Sequence, residues 1–200
     1  MRSHDQPGVP LAATRHLKQA TAVLHADIES LLRLDLLTTL PRVCGVLQVF
    51  DAFLADWEPR VSTALPPSMQ PWFEAHRRGA WARDDLQVLG AARCAPAASP
   101  EIELDSPAAA LGSLYVLEGS ALGGQVIART LRDHLQLTET TGARYFAGRG
   151  ARTGPLWRAF CEQFEAQVQQ PAEVEAACRG ARQTFGALIR QFRARADALA

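Results

Sequence analysis

Apolar residues recur three, four or seven positions apart along most of the chain, which is the spacing of one face of an α-helix. The first such stripe predicts a helix over 15–32 and consists of Leu17, Leu24, Ile28 and Leu31. The second predicts a helix over 42–61, with an apolar face made of Val43, Val46, Leu47, Phe50, Phe53, Leu54 and Trp57. Prolines then interrupt the pattern, and we expect two short helices over 69–76 and 84–89.

Start signals mark the helices of the second half. Ser106 followed by Pro107 predicts a helix that runs to about Leu135. Thr153 is expected to cap another helix through about Gln169, and Pro171 to open a last one, whose inward face is Val174, Ala181, Phe185, Leu188 and Phe192. The stretches 91–99 and 136–152 are predicted loops. With no convincing strand pattern, we expect an all-α, single-domain fold over 11–200 after a flexible segment 1–10.

Charge and length exclude several functional classes. The chain carries 21 Lys+Arg and 21 Asp+Glu, so its formal net charge is zero and it lacks the basic surface that nucleic-acid binding requires. No stretch reaches the roughly 20 apolar residues of a membrane span, and no signal peptide is evident. The four cysteines form no CxxC pair and are expected to be buried small apolar residues in a reducing compartment. We therefore expect a cytoplasmic protein that binds neither nucleic acid nor membranes.

One lysine and one histidine share a face of the first predicted helix. Lys18 is the single lysine beside 20 arginines, and His25 follows it by seven residues, which is two helical turns. A neutral imidazole there can bind a metal or a haem iron, and the lysine can reach an anionic edge of the same ligand. A helix-packing histidine beside a solvated charge is the alternative, and the two residues alone leave it open.

Three glycines interrupt the middle of the long helix predicted after Ser106. Gly119, Gly123 and Gly124 each cost roughly 1 kcal/mol relative to alanine in a helix. Because Gly119 and Gly123 lie four residues apart on one face, another body can approach the backbone closely there, and the helix can bend. That body is either a second helix or a flat ligand, and Ser120 offers it a polar group.

Other chemistries lack the residues that they need. The glycines follow no strand and open no helix, so they do not form a phosphate-binding loop. Glu118 has no partner carboxylate or nucleophile at a useful spacing, and no serine lies in a G-x-S-x-G elbow.

Taken together, the two segments resemble the haem oxygenase family. LKQATAVLH over 17–25 is similar to the proximal helix of that family, and YVLEGSALGGQ over 115–125 is similar to its distal helix. The match is closest to the bacterial, biliverdin-producing branch associated with bacterial phytochromes, and it extends from about Leu17 to Phe192. The resemblance implies an all-α, haem-oxygenase-like bundle that holds haem between the proximal and distal helices.

The resemblance also implies roles for individual residues. His25 matches the iron ligand, Lys18 the basic anchor of a haem propionate, and Tyr115 the tyrosine that hydrogen-bonds a propionate in bacterial members. Gly119 and Gly123 match the glycines that let the distal helix lie close over the haem and kink there. The implied activity converts haem, as both substrate and cofactor, with O2 and reducing equivalents to biliverdin, free iron and carbon monoxide.

The first departure from the family pattern lies on the distal helix. Mammalian-type members carry an aspartate after the first distal glycine, where this chain has Ser120. Bacterial members also lack this aspartate, so its absence does not exclude activity. We expect Ser120, with Gly119 and Gly123, to form the catalytic set. Gln48, Arg83 and backbone carbonyls are the expected holders of distal water.

The second departure lies on the penultimate helix. The basic residues that some members place there fall at Trp157 and Cys161 in this chain, and Arg158 is adjacent but on another face. Propionate anchoring on that side, and with it the regiochemistry of cleavage, is expected to differ.

The sequence therefore predicts a bacterial-type haem oxygenase with His25 as metal ligand. Its expected partners are haem, O2, an electron donor such as a ferredoxin or a reductase, and a bacterial phytochrome; release of iron from haem is the other expected use. A haem-binding or haem-buffering protein without turnover is the alternative. A helical enzyme that holds a thiamine-type molecule or a metal pair ranks last, because Glu118 and Cys161 are not spaced like a di-metal ligand set.

Overall fold

The regular elements of the protein are helices. The computed structural model describes residues 13–96 and 101–195, so the flexible segment predicted over 1–10 lies outside the described residues. Within those ranges the α-helices are α1 (Ala13–Leu32), α2 (Leu40–Ala64), α3 (Gln70–His76), α4 (Gly79–Val88), α5 (Pro107–Leu135), α6 (Arg144–Ala147), α7 (Thr153–Gln167) and α8 (Pro171–Arg193). Short 3-10 turns lie at 34–36, 67–69 and 150–152. The predicted all-α fold class is confirmed.

Helix α8 forms the centre of the bundle, because its most extensive contacts are with α5 and α1. Its predicted inward face is buried at Ala181, Phe185, Leu188 and Phe192, and partly buried at Val174. The apolar stripe of α2 is buried as well. The pattern of apolar residues therefore located the core.

Helices α5 and α8 cross with their backbones in contact. A Cβ on Gly112 would collide with the carbonyl oxygen of Ala177, and a Cβ on Gly180 would collide with that of Ala109. No larger residue fits at either glycine without moving one helix away from the other. The first half of α5 is therefore fixed on α8.

A buried chain of hydrogen bonds ties α2, α5 and α8 together. Nε1 of Trp57 donates to Oγ of Ser113 at 2.8 Å, and the hydroxyls of Ser113 and Thr184 lie 2.6 Å apart. Because Thr184 donates its proton to the carbonyl of Gly180 at 2.8 Å, the Ser113 hydroxyl donates to Thr184. Every member of the chain has a partner, as buried polar groups require.

The predicted start of α5 is confirmed and that of α7 is wrong by one residue. The Ser106 hydroxyl accepts a hydrogen bond from the N–H of Ala109 at 3.2 Å. Arg152, and not Thr153, occupies the N-cap of α7. The Thr153 hydroxyl instead accepts from the N–H of Arg149 at 3.3 Å and closes the preceding turn.

The stretch 136–152 is more than the surface loop that its polar, glycine-bearing sequence predicts. It contains α6, and Tyr145 and Phe146 within that helix are buried. The carboxylate of Asp85 accepts the N–H groups of Arg144 and Tyr145 at 3.0 and 2.7 Å, which holds α6 against α4. A helix of four residues has no periodicity to reveal it.

The cysteines are less buried than expected. All four are free thiols, but only Cys178 is fully buried, whereas Cys44, Cys94 and Cys161 are partly exposed. Across residues 13–96 and 101–195, no helix combines the length and the apolar character that crossing a membrane requires.

Candidate functional site

The three glycines in the middle of α5 lie in one continuous helix but meet different surroundings. A Cβ on Gly124 would stand 2.8 Å from the backbone oxygen of Phe146, so this glycine is required where α5 packs on α6. A Cβ on Gly119 would meet only the indole of Trp157, at 3.4 Å, and one on Gly123 would meet nothing within 4 Å. Gly119 and Gly123 therefore form a bare strip of helix, here called the glycine strip, which the described part of the chain leaves largely uncovered.

Exposed apolar side chains border the glycine strip. Leu122 and Val126, which are 38% and 49% exposed, each follow a glycine of the strip by three residues and so lie next to it on the helix surface. Bare backbone flanked by exposed apolar side chains is typical of a surface that covers an apolar ligand.

Tyr115 lies one helical turn before the glycine strip. Its ring centroid is 5.1 Å from that of Trp157 and 5.9 Å from that of Phe164, both on α7. Burial, and after it the neighbouring Cys161, raises the pKa of Tyr115 to about 12. Its hydroxyl is therefore neutral at physiological pH and is available to donate a hydrogen bond to an anionic ligand.

Helix α1 presents Lys18 and His25 as exposed side chains, two turns apart as their spacing predicts. The His25 side chain is 58% exposed, and its ring meets the edge of Phe185 on α8 at a centroid distance of 5.9 Å. Nδ1 of His25 lies 3.5 Å from Oε1 of Glu29. Because Nδ1 faces a carboxylate, Nε2 is the ring nitrogen left for a ligand, an arrangement common among metal-binding histidines.

A carboxylate from α7 caps the beginning of α1. Glu165 accepts the N–H groups of Ala13 and Thr14 at 2.9 and 2.8 Å, and the hydroxyl of Thr14 at 2.5 Å. These are N–H groups that the first turn of a helix leaves without partners, and the negative charge also complements the helix dipole. Glu165 thus sets the position of α1, and no local pattern predicts this contact, because it spans about 150 residues.

The helices that carry the predicted proximal and distal residues, α1 and α5, pack against the same two helices. His25 on α1 contacts Phe185 of α8, and Gly119 and Tyr115 on α5 contact Trp157 of α7. Helix α8 packs on both α1 and α5, and so does α7. The two motifs, although far apart in the sequence, are therefore on two helices that α7 and α8 hold in a fixed arrangement.

Comparisons with known proteins identify the family. The family model described as Heme oxygenase matches residues 71–194, which is more than half of the chain. A heme oxygenase from Xanthomonas campestris pv. campestris (strain 8004) is 36% identical over 141 residues, which cover 70% of this chain and 82% of that protein. The chain belongs to the haem oxygenase family.

Two solved structures of haem oxygenases have a similar fold. The NO- and CO-bound heme oxygenase from Neisseria meningitidis matches with a TM-score of 0.74 and 23% identity, over 92% of this chain and 93% of that one. Heme oxygenase 2 from Chlamydomonas reinhardtii, crystallised without heme, matches with a TM-score of 0.68 and 21% identity, over 91% and 96% of the two chains.

Membership of the haem oxygenase family makes haem the ligand and haem degradation the general activity. The segment that the family model matches runs from α3 to α8 and contains the glycine strip. It does not contain α1, so the roles of Lys18 and His25 depend on their own geometry and on the motif around them.

In this member of the family, α7 offers an aromatic ring and a thiol at the two positions where some relatives are expected to carry cations. Trp157 stacks on Phe160 at a centroid distance of 5.8 Å and covers Gly119. Burial raises the pKa of Cys161 to about 11, so its thiol is uncharged. The neighbouring Arg158 is exposed on another face, as its position in the sequence predicts.

The two side chains expected to hold distal water are engaged elsewhere. Gln48 donates to the carbonyl of Ala92 at 2.6 Å, and Nε of Arg83 lies 3.8 Å from the buried carboxylate of Asp51. The contacts of Gln48 and Arg83 therefore give no support to that expectation, because their partners here are Ala92 and Asp51. A different arginine, Arg78, reaches Ser120, with Nη2 at 3.0 Å from the serine oxygen.

A polar cluster that the sequence did not reveal lies beside Arg78. Glu118, Arg78, Arg149 and His76 are among the residues that line a cavity of about 20 Å³, which has room for a single water molecule. Burial raises the pKa of Glu118, although the charge of Arg78 acts in the opposite direction. The sequence offers Glu118 no partner at a useful spacing, and the fold supplies Arg78 and Arg149 from other elements.

Proposed function

We propose that this chain is a haem oxygenase that binds haem between α1 and α5, with Nε2 of His25 as the iron ligand, and forms biliverdin, free iron and carbon monoxide. The observation that carries the proposal is the glycine strip, because bare backbone at Gly119 and Gly123 suits a flat ligand and is not needed for helix packing. Haem, when bound, supplies both the iron at which O2 reacts and the porphyrin that is cleaved. The residues of the protein contribute by binding and orienting the haem and by holding water beside it.

The proximal side of the site holds the ligand in a fixed orientation. The Glu29 carboxylate lies 3.5 Å from Nδ1 of His25, which favours a proton on Nδ1 and leaves the lone pair of Nε2 for a ligand. The edge of Phe185 restricts rotation of the ring. A neutral histidine, unlike a thiolate, does not push the chemistry towards O–O cleavage, which suits an enzyme whose oxidant must reach the porphyrin edge.

Lys18 and Tyr115 are the proposed anchors of the haem propionates. Lys18 brings the only lysine charge of the chain to the face of α1 that carries His25, and Tyr115 brings a neutral hydroxyl to the edge of the glycine strip. Anchors on two different helices would fix the orientation of a bound haem, and that orientation would decide which edge carbon is oxidised. These residues would therefore act on regiochemistry through geometry.

On the distal side, Gly119 and Gly123 admit the ligand to the backbone of α5, and Ser120 is the polar side chain next to them. Ser120 donates to the carbonyl of Leu117 at 2.7 Å and accepts from Arg78. In the proposed reaction it helps to hold the water that supplies protons.

Haem binding without turnover is the second candidate function. The observations that favour it are the serine at position 120, where a stronger acid would deliver protons more readily, and the absence of a cation at Trp157 and Cys161 on α7. The metal-pair alternative has no support in residues 13–96 and 101–195, where no three His, Cys, Asp or Glu side chains gather as metal ligands would.

The proposed use of the product is as a chromophore for a bacterial phytochrome, with iron release as the other use and a ferredoxin or reductase as electron donor. The motif YVLEGSALGGQ supports this assignment through its likeness to the biliverdin-producing branch. Mixing the reaction product with an apo-phytochrome tests it, because only biliverdin of a usable isomer will give the red-absorbing holoprotein.

The main experiment adds haem to the purified protein, records the Soret band and then supplies ascorbate or a ferredoxin system in air. Loss of the Soret band with growth of biliverdin absorption is expected. A stable haem spectrum under these conditions would refute turnover and leave binding, and the absence of any Soret shift would refute both. His25→Ala should change the haem spectrum, whereas His16→Ala, a histidine on the same helix, should not; an unchanged spectrum in His25→Ala would refute the ligand assignment.

A further inference from the structure

The contacts of Arg78 join the start of α4 to the middle of α5. Nη2 of Arg78 donates to the carbonyl oxygen of Leu117 at 2.6 Å and to Oγ of Ser120 at 3.0 Å. The Ser120 hydroxyl donates in turn to the same Leu117 oxygen at 2.7 Å. Three groups therefore close a ring of hydrogen bonds immediately beside Gly119.

This ring determines what the Ser120 hydroxyl can still do. A guanidinium only donates and a carbonyl oxygen only accepts, so the hydroxyl proton is committed to Leu117 and one oxygen lone pair to Arg78. One lone pair remains. Ser120 is thus a fixed hydrogen-bond acceptor, whereas a serine without these partners would rotate and either donate or accept.

The remaining lone pair belongs to a residue at the edge of the glycine strip. Successive residues of an α-helix are turned by about 100°, so Ser120 lies about 60° around α5 from Gly123. Tyr115 flanks the strip on the opposite side. Because Ser120 is only half-buried and nothing stands within 4 Å of a Cβ on Gly123, a small molecule on the strip can reach the serine oxygen.

Arg78 is held from several sides. Its backbone N–H donates to Oε1 of Glu58 at 3.1 Å, and its guanidinium carbon lies 5.2 Å from the centre of the Tyr145 ring. The carboxyl of Glu118 attracts it, with Arg149 as the other cation near that carboxyl. An arginine with these contacts keeps one position, and its planar group gives up little freedom for each hydrogen bond that it makes.

We propose that Arg78 is a positioning residue, which fixes the Ser120 hydroxyl as the acceptor for one water molecule on the glycine strip. The inference rests on the proposed function, because such a water serves the reaction only when haem lies on the strip. A water that donates one hydrogen to Ser120 has its other hydrogen free to point at the ligand. Arg78 thereby orients a proton donor without touching the ligand.

The test measures the effect of Ser120→Ala in three chains: the wild type, Arg78→Met and Arg77→Met. Arg77 is the matched control, because it is adjacent, exposed and paired with Glu74 at 3.3 Å. The quantity measured is the pH midpoint at which the visible spectrum of the ferric haem complex changes from its acid to its alkaline form. This midpoint reports hydrogen bonding beside the iron and does not depend on turnover.

Ser120→Ala is expected to raise the midpoint by roughly half a pH unit in the wild type, because loss of a water that donates a hydrogen bond beside the iron destabilises the deprotonated, alkaline form. The same rise is expected in Arg77→Met. In Arg78→Met the serine is no longer fixed, so Ser120→Ala should leave the midpoint unchanged. Should Arg78→Met fail to fold, Arg78→Gln replaces it, since its amide stays near Glu118 but ends short of Ser120.

Two results overturn the proposal while leaving haem binding intact. An equal rise in Arg78→Met and in the wild type would show that Arg78 does not act through Ser120. An unchanged midpoint for Ser120→Ala in the wild type would show that the serine holds no water beside the haem. A wild-type chain that forms no haem spectrum overturns the proposed function itself, and this inference with it.

Discussion

The indole of Trp157 lies 3.4 Å from the point where a Cβ on Gly119 would stand, which is a contact and not a clash. Residue 119 could therefore be alanine in the free protein, and so could residue 123, where a Cβ meets open space. Helix propensity favours alanine at both positions. The fold does not require glycine at these two positions. We therefore attribute both glycines to close contact between α5 and a ligand.

The first prediction separates functional from structural glycines by alanine substitution. Gly123→Ala and Gly119→Ala should raise the free energy of unfolding of the haem-free protein, by up to about 1 kcal/mol each. Both should weaken haem binding in a titration followed at the Soret band, because a methyl group then stands on the ligand face.

Gly124→Ala is the matched control for that series. Its Cβ would stand 2.8 Å from the backbone oxygen of Phe146, so it should lower the unfolding free energy by about 1–3 kcal/mol. If Gly123→Ala bound haem as tightly as the wild type, the glycine strip would have no part in binding.

The second prediction uses the two tyrosines of the chain. Tyr115→Phe should leave the unfolding free energy nearly unchanged and weaken haem binding roughly tenfold, because a hydrogen bond to a charged propionate is lost. Tyr145→Phe removes a buried hydroxyl that has no hydrogen-bond partner within residues 13–96 and 101–195, so it should stabilise the protein or leave it unchanged, with normal haem affinity. Equal haem affinity in both variants would remove Tyr115 from the site.

The third prediction concerns the cap of α1. Glu165→Ala removes the acceptor of three hydrogen bonds at a helix N-terminus and should lower the unfolding free energy by about 1–2 kcal/mol. Because α1 carries His25, haem binding should weaken as well. Glu162→Ala, on an exposed position of the same helix, is the control and should change neither quantity.

The fourth prediction is a pH dependence caused by Glu118. Burial raises the pKa of this carboxyl, so between the ordinary and the raised value the folded protein binds more protons than the unfolded chain. The stability from the protonated carboxyl is present below that window and is lost as pH rises through it. Relative to Glu118→Gln, the wild type should therefore lose unfolding free energy as pH rises above about 4.5.

Chemical denaturation of both proteins across pH 4 to 8 measures this difference. Asp85, whose pKa burial also raises, and His76, whose pKa burial lowers, titrate in both proteins and cancel in the comparison. A difference between wild type and Glu118→Gln that stays constant with pH would contradict the prediction.

The long helices could be predicted because each buries a broad apolar face and several begin at a strong signal. Ser106 caps α5, and Pro171 opens α8, as their residue types indicate. Lys18 and His25 could be placed on one face for the same reason, since spacing within a helix is set by its period. The glycine strip was visible because glycine is unfavourable in the middle of a helix.

What could not be predicted depends on contacts between distant elements. Arg77 and Arg78 are neighbours of identical type, and only the turn between α3 and α4 decides that Arg78 meets α5 while Arg77 faces solvent. Glu165 and the first turn of α1 are about 150 residues apart in the sequence. Tyr145 is buried from within a helix too short to show a period. Such contacts leave no mark on local sequence pattern.

The crossing of α5 and α8 has a consequence for how the ligand enters. At Gly112 the first half of α5 lies backbone to backbone on α8, whereas the second half packs through Gly124 on α6. The glycines between these contacts make that part of α5 the easiest to bend. A bend at these glycines would therefore move α6 together with the second half of α5 and leave the crossing with α8 in place. Under the proposed function, we therefore expect the exchange of haem for product to depend on how freely the 136–152 stretch can move.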